Sequence, residues 1–124
     1  MGLALHVQLL CDARALISDP AHWTTGSAAR DVSGAHVPSC SVNATCWCAL
    51  GALVRAMPAE TDMGRGVLHS VSHRGFRRAE RCLMTVAARL YHQSLTSVND
   101  HCGHDAVLRV FEFAIILASL DQSA

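Results

Sequence analysis

Two polar stretches of this chain carry groups that can hold a small ligand. Arg30 and Asp31 stand together in the first, Asn99 and Asp100 in the second. An arginine offers a planar fork of N–H donors to an anion or a carbonyl, while aspartate and asparagine accept or orient. Trp23 lies upstream of Arg30 and offers a flat face on which a planar ligand can stack. Cys48 joins the ligand-contacting candidates as a thiol in the apolar middle of the chain. These residues describe a small polar pocket with Arg30 as its anion-binding group. The plainer reading is structural: Arg30 pairs an aspartate to pin its loop, and Asn99 or Asp100 caps the helix that follows.

Other chemistry needs more than these residues provide. Nucleophilic catalysis requires Cys48 to be ionised beside a base. The eight histidines supply candidates without singling one out, and Cys46-x-Cys48 is not the CxxC of a redox pair or zinc knuckle. A buried structural thiol is the simpler reading. The simplest hydrolase would use Asp31 or Asp100 with a histidine. A tetrahedral zinc site would need His101, Cys102 and His104 joined by Cys46 or Cys48. His69 and His73 share a helix face at i, i+4 but have no glutamate between them. No metal and no cofactor are expected. Arg74, Arg77, Arg78 and Arg81, with Arg89 further on, gather positive charge on a helix; they can grip phosphate or an acidic partner, or form a solvated face partly paired with Glu80.

The elements that must position these groups are helical. The stretch Thr45 to Met57 is the densest apolar run in the middle of the chain, with Trp47, Leu50, Val54 and Met57 on one face. It reads as a central buried helix over about residues 45–57, capped by Asn43 or Thr45 and stopped by Pro58. Gly51 within it costs about 1 kcal/mol against alanine, which points to close approach of another backbone or a ligand. Leu5, Leu9, Ala13, Leu16 and Ile17 mark a first helix. Residues 18–44 are rich in Ser, Thr, Gly and Pro and are expected to be mostly irregular, anchored by Trp23, with strand pairing conceivable around the turn-like Ser33-Gly34. A glycine-containing linker at 59–66 leads to a short helix at 67–73, a break at Gly75, a longer helix to about Tyr91, and a polar connection at 94–103. A last helix capped by Asp105 runs through Phe111 to Leu120. The fold class is therefore all-α, a compact bundle of four to five helices in one domain spanning residues 1–124.

The 124 residues suffice for one core, and the formal net charge is zero, with ten basic and ten acidic residues. Neutrality argues against bulk electrostatic binding of nucleic acid and permits self-association. The apolar last helix is expected to contribute to a homodimer surface. All ten basic residues are arginine, a coding bias that points to a GC-rich bacterial or phage genome. Six cysteines without a charged secretory leader before them point to a reducing compartment and a cytoplasmic location. No apolar run reaches the roughly 18 residues of a membrane span, since Glu112 interrupts the nearest one.

Three segments, in order, carry a resemblance: His22-Trp23-Thr24-Thr25-Gly26-Ser27-Ala28-Ala29-Arg30-Asp31, then Trp47-Cys48-Ala49-Leu50-Gly51-Ala52-Leu53, then Val98-Asn99-Asp100 with Gly103 and the following helix. Together they resemble DUF6197, a family of small uncharacterised bacterial and phage proteins, over about residues 12–118. The resemblance implies a helical fold and assigns no activity. A phage or mobile-element source would make interference with a bacterial defence system a natural role. The chain departs from the family pattern at Val98, where an aromatic residue is usual, and at His101 to His104, where Pro-Gly-Arg is usual. If that arginine serves a ligand, His104 replaces it only when protonated, and His104 is counted among the candidates on that ground. The expected function is that of a small non-catalytic binding protein for a nucleotide-like anionic ligand or for another protein. The alternatives are the Asp/His hydrolase and a zinc-stabilised nucleic-acid-binding module.

Overall fold

The spacing of apolar residues in three segments dictates three mutually packed helices. In the computed structural model, which describes residues 2–58 and 65–123, these are α1 (Leu5–Leu16), α3 (Arg65–Tyr91) and α5 (His104–Ser123). Two shorter helices, α2 (Ala49–Arg55) and α4 (Leu95–His101), complete the described helical elements. Val7, Leu10 and Ala13 of α1, Ala79, Leu83 and Ala87 of α3, and Val107, Phe111 and Ala114 of α5 are buried at helical spacing. They close the core around Phe111, which has no exposed surface. An ion pair between Arg14 and Glu112, at 2.8 Å on the surface, ties α1 to α5 but adds little to stability. Among the described residues no helix is long and apolar enough to cross a membrane.

The central stretch divides into two structures. Cys46–Trp47 forms β2 and pairs antiparallel with β1 (Ala29–Arg30), Ala29 opposite Trp47 and Arg30 opposite Cys46. The helix therefore begins at Ala49, four residues later than the sequence predicts. Its cap is Cys48 rather than Asn43 or Thr45. The ladder explains the shift, because Thr45 donates its N–H to the Arg30 carbonyl at 2.8 Å and Cys48 donates to Ala28 at 3.1 Å. Those bonds hold the chain extended up to the cap. The buried side of α2 is Ala49, Gly51, Ala52 and Leu53, while Leu50 and Val54 are only half-buried.

Three further expectations are corrected. Residues 65–91 form one continuous helix, without a break at Gly75. Gly75 serves α1 instead: a Cβ there would stand 2.7 Å from Leu5 Cδ2, so the missing side chain lets the two helices touch. The connection at 94–103 contains α4, capped by the Ser94 hydroxyl, which accepts from the Ser97 N–H. Asp105 lies inside the first turn of α5 rather than capping it. The linker expected at 59–66 lies, as far as residue 64, outside the described residues.

The 18–44 segment has more order than its composition suggests. A 3₁₀ turn at Pro20–His22 follows α1, capped by the Asp19 carboxylate. A tight turn at Asp31–Ala35 closes where Ser33-Gly34 suggests one, with Arg30 and His36 bridged across it. Trp47 Nε1 and Arg55 Nη1 both donate to the Ser39 carbonyl, at 2.9 and 3.2 Å, and the Arg55 guanidinium lies over the Trp47 ring at 5.4 Å.

The expected close approach at Gly51 is present. A Cβ at this position would overlap the Ala28 carbonyl oxygen and stand 2.9 Å from its carbonyl carbon. Because the obstruction is backbone held in the β1–β2 ladder, Gly51→Ala should lose about 2–3 kcal/mol despite its gain in helix propensity. Gly75→Ala meets only the end of a leucine side chain and should cost less. Urea unfolding of the two variants checks the order; equal losses would contradict it.

Candidate functional site

Asn99 sits at the junction of three segments, and its carboxamide is fully used. Its Oδ1 accepts from Trp23 Nε1 and from the Ala49 N–H, each at 2.9 Å. Its Nδ2 donates to the Thr24 carbonyl and to Asp100 Oδ1, each at 3.1 Å. An asparagine has two acceptor sites and two donors, so no capacity is left for a ligand. With 2% of its surface exposed, Asn99 is a buried clasp joining the Trp23 loop, the start of α2 and α4.

Asp100 is differently placed. Its Oδ1 accepts from the Gly26 N–H at 3.0 Å and from Asn99, while its second oxygen bears no hydrogen bond from the described residues. Those two bonds, the Gly26 one foremost, with His101 nearby, hold its carboxyl below the ordinary aspartate value of 3.8. Asp100 and Asn99 border a cleft of about 380 Å³ between the Gly26–Ala28 loop, α2 and α4. Leu50, Val54 and Leu95 give it an apolar wall. Cys48 also lines the cleft. Its thiol accepts from the Gly51 N–H at 3.2 Å as the cap of α2. Burial, above all, pushes that thiol above its ordinary 9.0, and the Asp100 carboxylate adds to the rise. Cys48 is therefore a neutral thiol at physiological pH and not an activated nucleophile.

The other candidates lie elsewhere. Trp23 does not border the cleft; it braces the cleft's back through Asn99, and its ring packs on His104 with centroids 5.3 Å apart. His104 Nε2 lies 2.6 Å from the Ile17 carbonyl oxygen, which can only accept, so this nitrogen carries a proton. His104 thus ties the start of α5 to the end of α1. Arg30 is spent on its own loop: Nε donates to Thr24 Oγ1 at 3.1 Å, Nη1 to the Gly34 carbonyl at 2.9 Å and Nη2 to the Thr25 carbonyl at 3.2 Å. It pins that loop without pairing an aspartate. Asp31 Oδ1 accepts from Ser33 N, Ser33 Oγ and Ala35 N, an Asx turn, and the Ser33 hydroxyl above all keeps its carboxyl below the usual value. Neither Asn99 nor Asp100 caps α5.

Sequence reasoning did not identify Leu50, Val54, Leu95 or the Gly26–Ala28 backbone as walls of the cleft. Gly51 was the signal for the last of these, because the backbone that approaches it is Ala28. Among the described residues no three His, Cys, Asp or Glu side chains gather as a metal site requires. The side chain of His69, paired with His73 in the sequence reading, lies outside the description.

The segments that meet at this clasp are the three that carry the family resemblance. The family model for DUF6197, a family of unknown function, matches residues 4–117. The chain belongs to DUF6197. That match includes α1 to α4, the cleft and most of α5, so this member of DUF6197 carries its clasp and cleft within the matched region. No curated protein and no solved structure matches it.

Replacing Asn99 by alanine would leave the Trp23 N–H, the Ala49 N–H and the Thr24 carbonyl without their partner. A loss of about 3–5 kcal/mol is expected in denaturant unfolding, with a smaller loss for Thr96→Ala on the exposed side of α4. Asp100 also predicts a pH dependence. Its folded value lies below its unfolded one, so its stabilisation is present above about pH 4 and is lost as pH falls through the folded value. Asp100→Asn should flatten the acid limb of a stability–pH curve without removing the share due to Asp31. An unchanged acid limb in this variant would contradict the assignment.

Proposed function

We propose that this protein is a non-catalytic binding protein whose cleft takes a small ligand with an apolar body and one cationic or hydrogen-bond-donating end. The observation that carries this reading is the free oxygen of Asp100 at the edge of an otherwise largely apolar cleft. A carboxylate fixed by Gly26 and Asn99, with one oxygen unoccupied, is pre-arranged to accept from a ligand. This departs from a nucleotide-like anion, because no arginine borders the cleft and Arg30 is committed to its loop.

Three observations support the non-catalytic part. The Cys48 thiol is neutral, Asp31 holds its own turn and does not line the cleft, and among the described residues no histidine hydrogen-bonds either aspartate. Cys11, Cys40, Cys46, Cys48 and Cys102 form no disulfide, which suits a reducing compartment, and we place the protein in the cytoplasm on that basis. Its arginine-only basic residues suit a bacterial or phage source.

Benzylamine, benzoate and adenosine monophosphate separate the readings. Benzylamine should raise the melting temperature and shift the amide resonances of Cys48, Leu50 and Asp100, and Asp100→Asn should abolish both effects. Benzoate and the nucleotide should do neither. A stronger response to either anion than to the amine would overturn the proposed polarity, and an Asp100→Asn variant with an intact response would remove the carboxylate from the site.

A further inference from the structure

Helices α3 and α5 carry a second surface, chemically unlike the cleft. Arg74, Arg77, Arg78, Arg81 and Arg89 are all exposed on α3. At 3.6 residues per turn they fall within roughly 120° of the helix circumference and extend for about 22 Å along it. The described residues contain a single ion pair, Arg14 with Glu112, so none of these arginines is neutralised by Glu80. Beside them, between α3 and α5, runs a groove of about 350 Å³. Leu90, Phe113, Ile116, Leu117 and Leu120 form much of its lining, with Arg89 its one charged member. Phe113 and Ile116 are 46% and 55% exposed, too much for large apolar side chains that have found their place in a core. Arg109, also exposed, lies one turn before Phe113 on the same face of α5. Glu112 is turned away to Arg14 of α1.

An apolar groove with Arg89 in its lining, the other α3 arginines further along the same helix, and no carboxylate among its described lining residues, specifies its occupant by complementarity. We infer that the groove between α3 and α5 docks an acidic amphipathic helix of a partner protein, its apolar stripe on Phe113 and Ile116 and its carboxylates against the α3 arginines. Helix-in-groove recognition reads anchors at i, i+3, i+4 and i+7, and arginine meets carboxylates through paired N–H donors. A second copy of this chain is a poorer occupant, because a two-fold contact brings the same patch from each side and sets the arginines against each other. Nucleic acid is poorer too: the apolar lining has no counterpart in a phosphate backbone, and the whole chain is neutral.

The test uses the full chain and two fluorescein-labelled model helices of about five turns. Both carry leucine at i, i+3, i+4 and i+7; one has glutamate at the flanking positions, the other lysine. The glutamate peptide should bind at least tenfold more tightly, and more weakly as salt rises. Arg81→Glu with Arg89→Glu should weaken it at least tenfold, and Ile116→Asp should do the same. Their unfolding midpoints should match the parent's, because all three side chains are exposed, and circular dichroism verifies this. Equal binding of the two peptides overturns the inference, as does glutamate-peptide binding that survives both sets of substitutions. So does a dimer in light scattering that Ile116→Asp dissolves, or a DNA duplex that binds more tightly than the glutamate peptide.

Discussion

The arrangement of this molecule depends on one buried carboxamide. Asn99 holds an indole N–H, a helix-terminal N–H, a loop carbonyl and a carboxylate at once. The first three would otherwise be left without that partner where water is largely excluded, and a buried polar group without a bond costs more than a made bond contributes. No other side chain supplies two donors and two acceptors from one planar group of this length. Glutamine adds a methylene, aspartate has no donors, and histidine cannot offer all four. The clasp joins chain segments that are 76 and 50 residues away from it, which the bundle core alone does not bring into register.

The Gly51 contact works with that clasp. The Ala28 carbonyl presses against α2 where a Cβ would be, so the Gly26–Ala28 loop lies directly on the helix. Asp100 then holds the other end of the same loop through the Gly26 N–H. The loop bordering the cleft is thus fixed from both sides by backbone contacts. A cleft so framed keeps its shape without a ligand, which limits the ordering cost that binding would incur.

Much of this was legible in the sequence, and the parts that were not have physical reasons. The stripe of Leu5, Leu9 and Ala13 predicts α1, the cost of Gly51 predicts a close approach, and Trp23 predicts an anchored loop. The start of α2 was obscured because Cys46 and Trp47 suit a helix or a strand equally, and only their distant partners Ala29 and Arg30 decide. The helix α4 was obscured by its seven-residue length, too short for periodicity to register, although Ser94 with Leu95 and Val98 carried its signature. Gly75 reads as a breaker in isolation and as a contact surface once Leu5 is beside it. For the site, the sequence singled out Asn99 and Asp100 but could not tell them apart, because the saturation of one and the free oxygen of the other are tertiary facts. Arg30 and Asp31 were chosen for chemistry that their own loop consumes.

The two surfaces of the molecule differ in how they are charged and in what that implies. The cleft carries an isolated carboxylate with its orientation fixed by two hydrogen bonds, the mark of selectivity for one small group. The α3 face carries five like charges with no ion-pair partner among the described residues, held by long side chains on a single helix. Such a face attracts at a distance and adapts on contact, which suits a macromolecular partner more than a small molecule. Arg30 and Arg55 show the contrast within the same chain: each donates to backbone carbonyls, and each loop is ordered by it. Arginine thus serves the fold in the loops and, on α3, has no ion-pair partner among the described residues, so the zero net charge conceals an uneven distribution of charge.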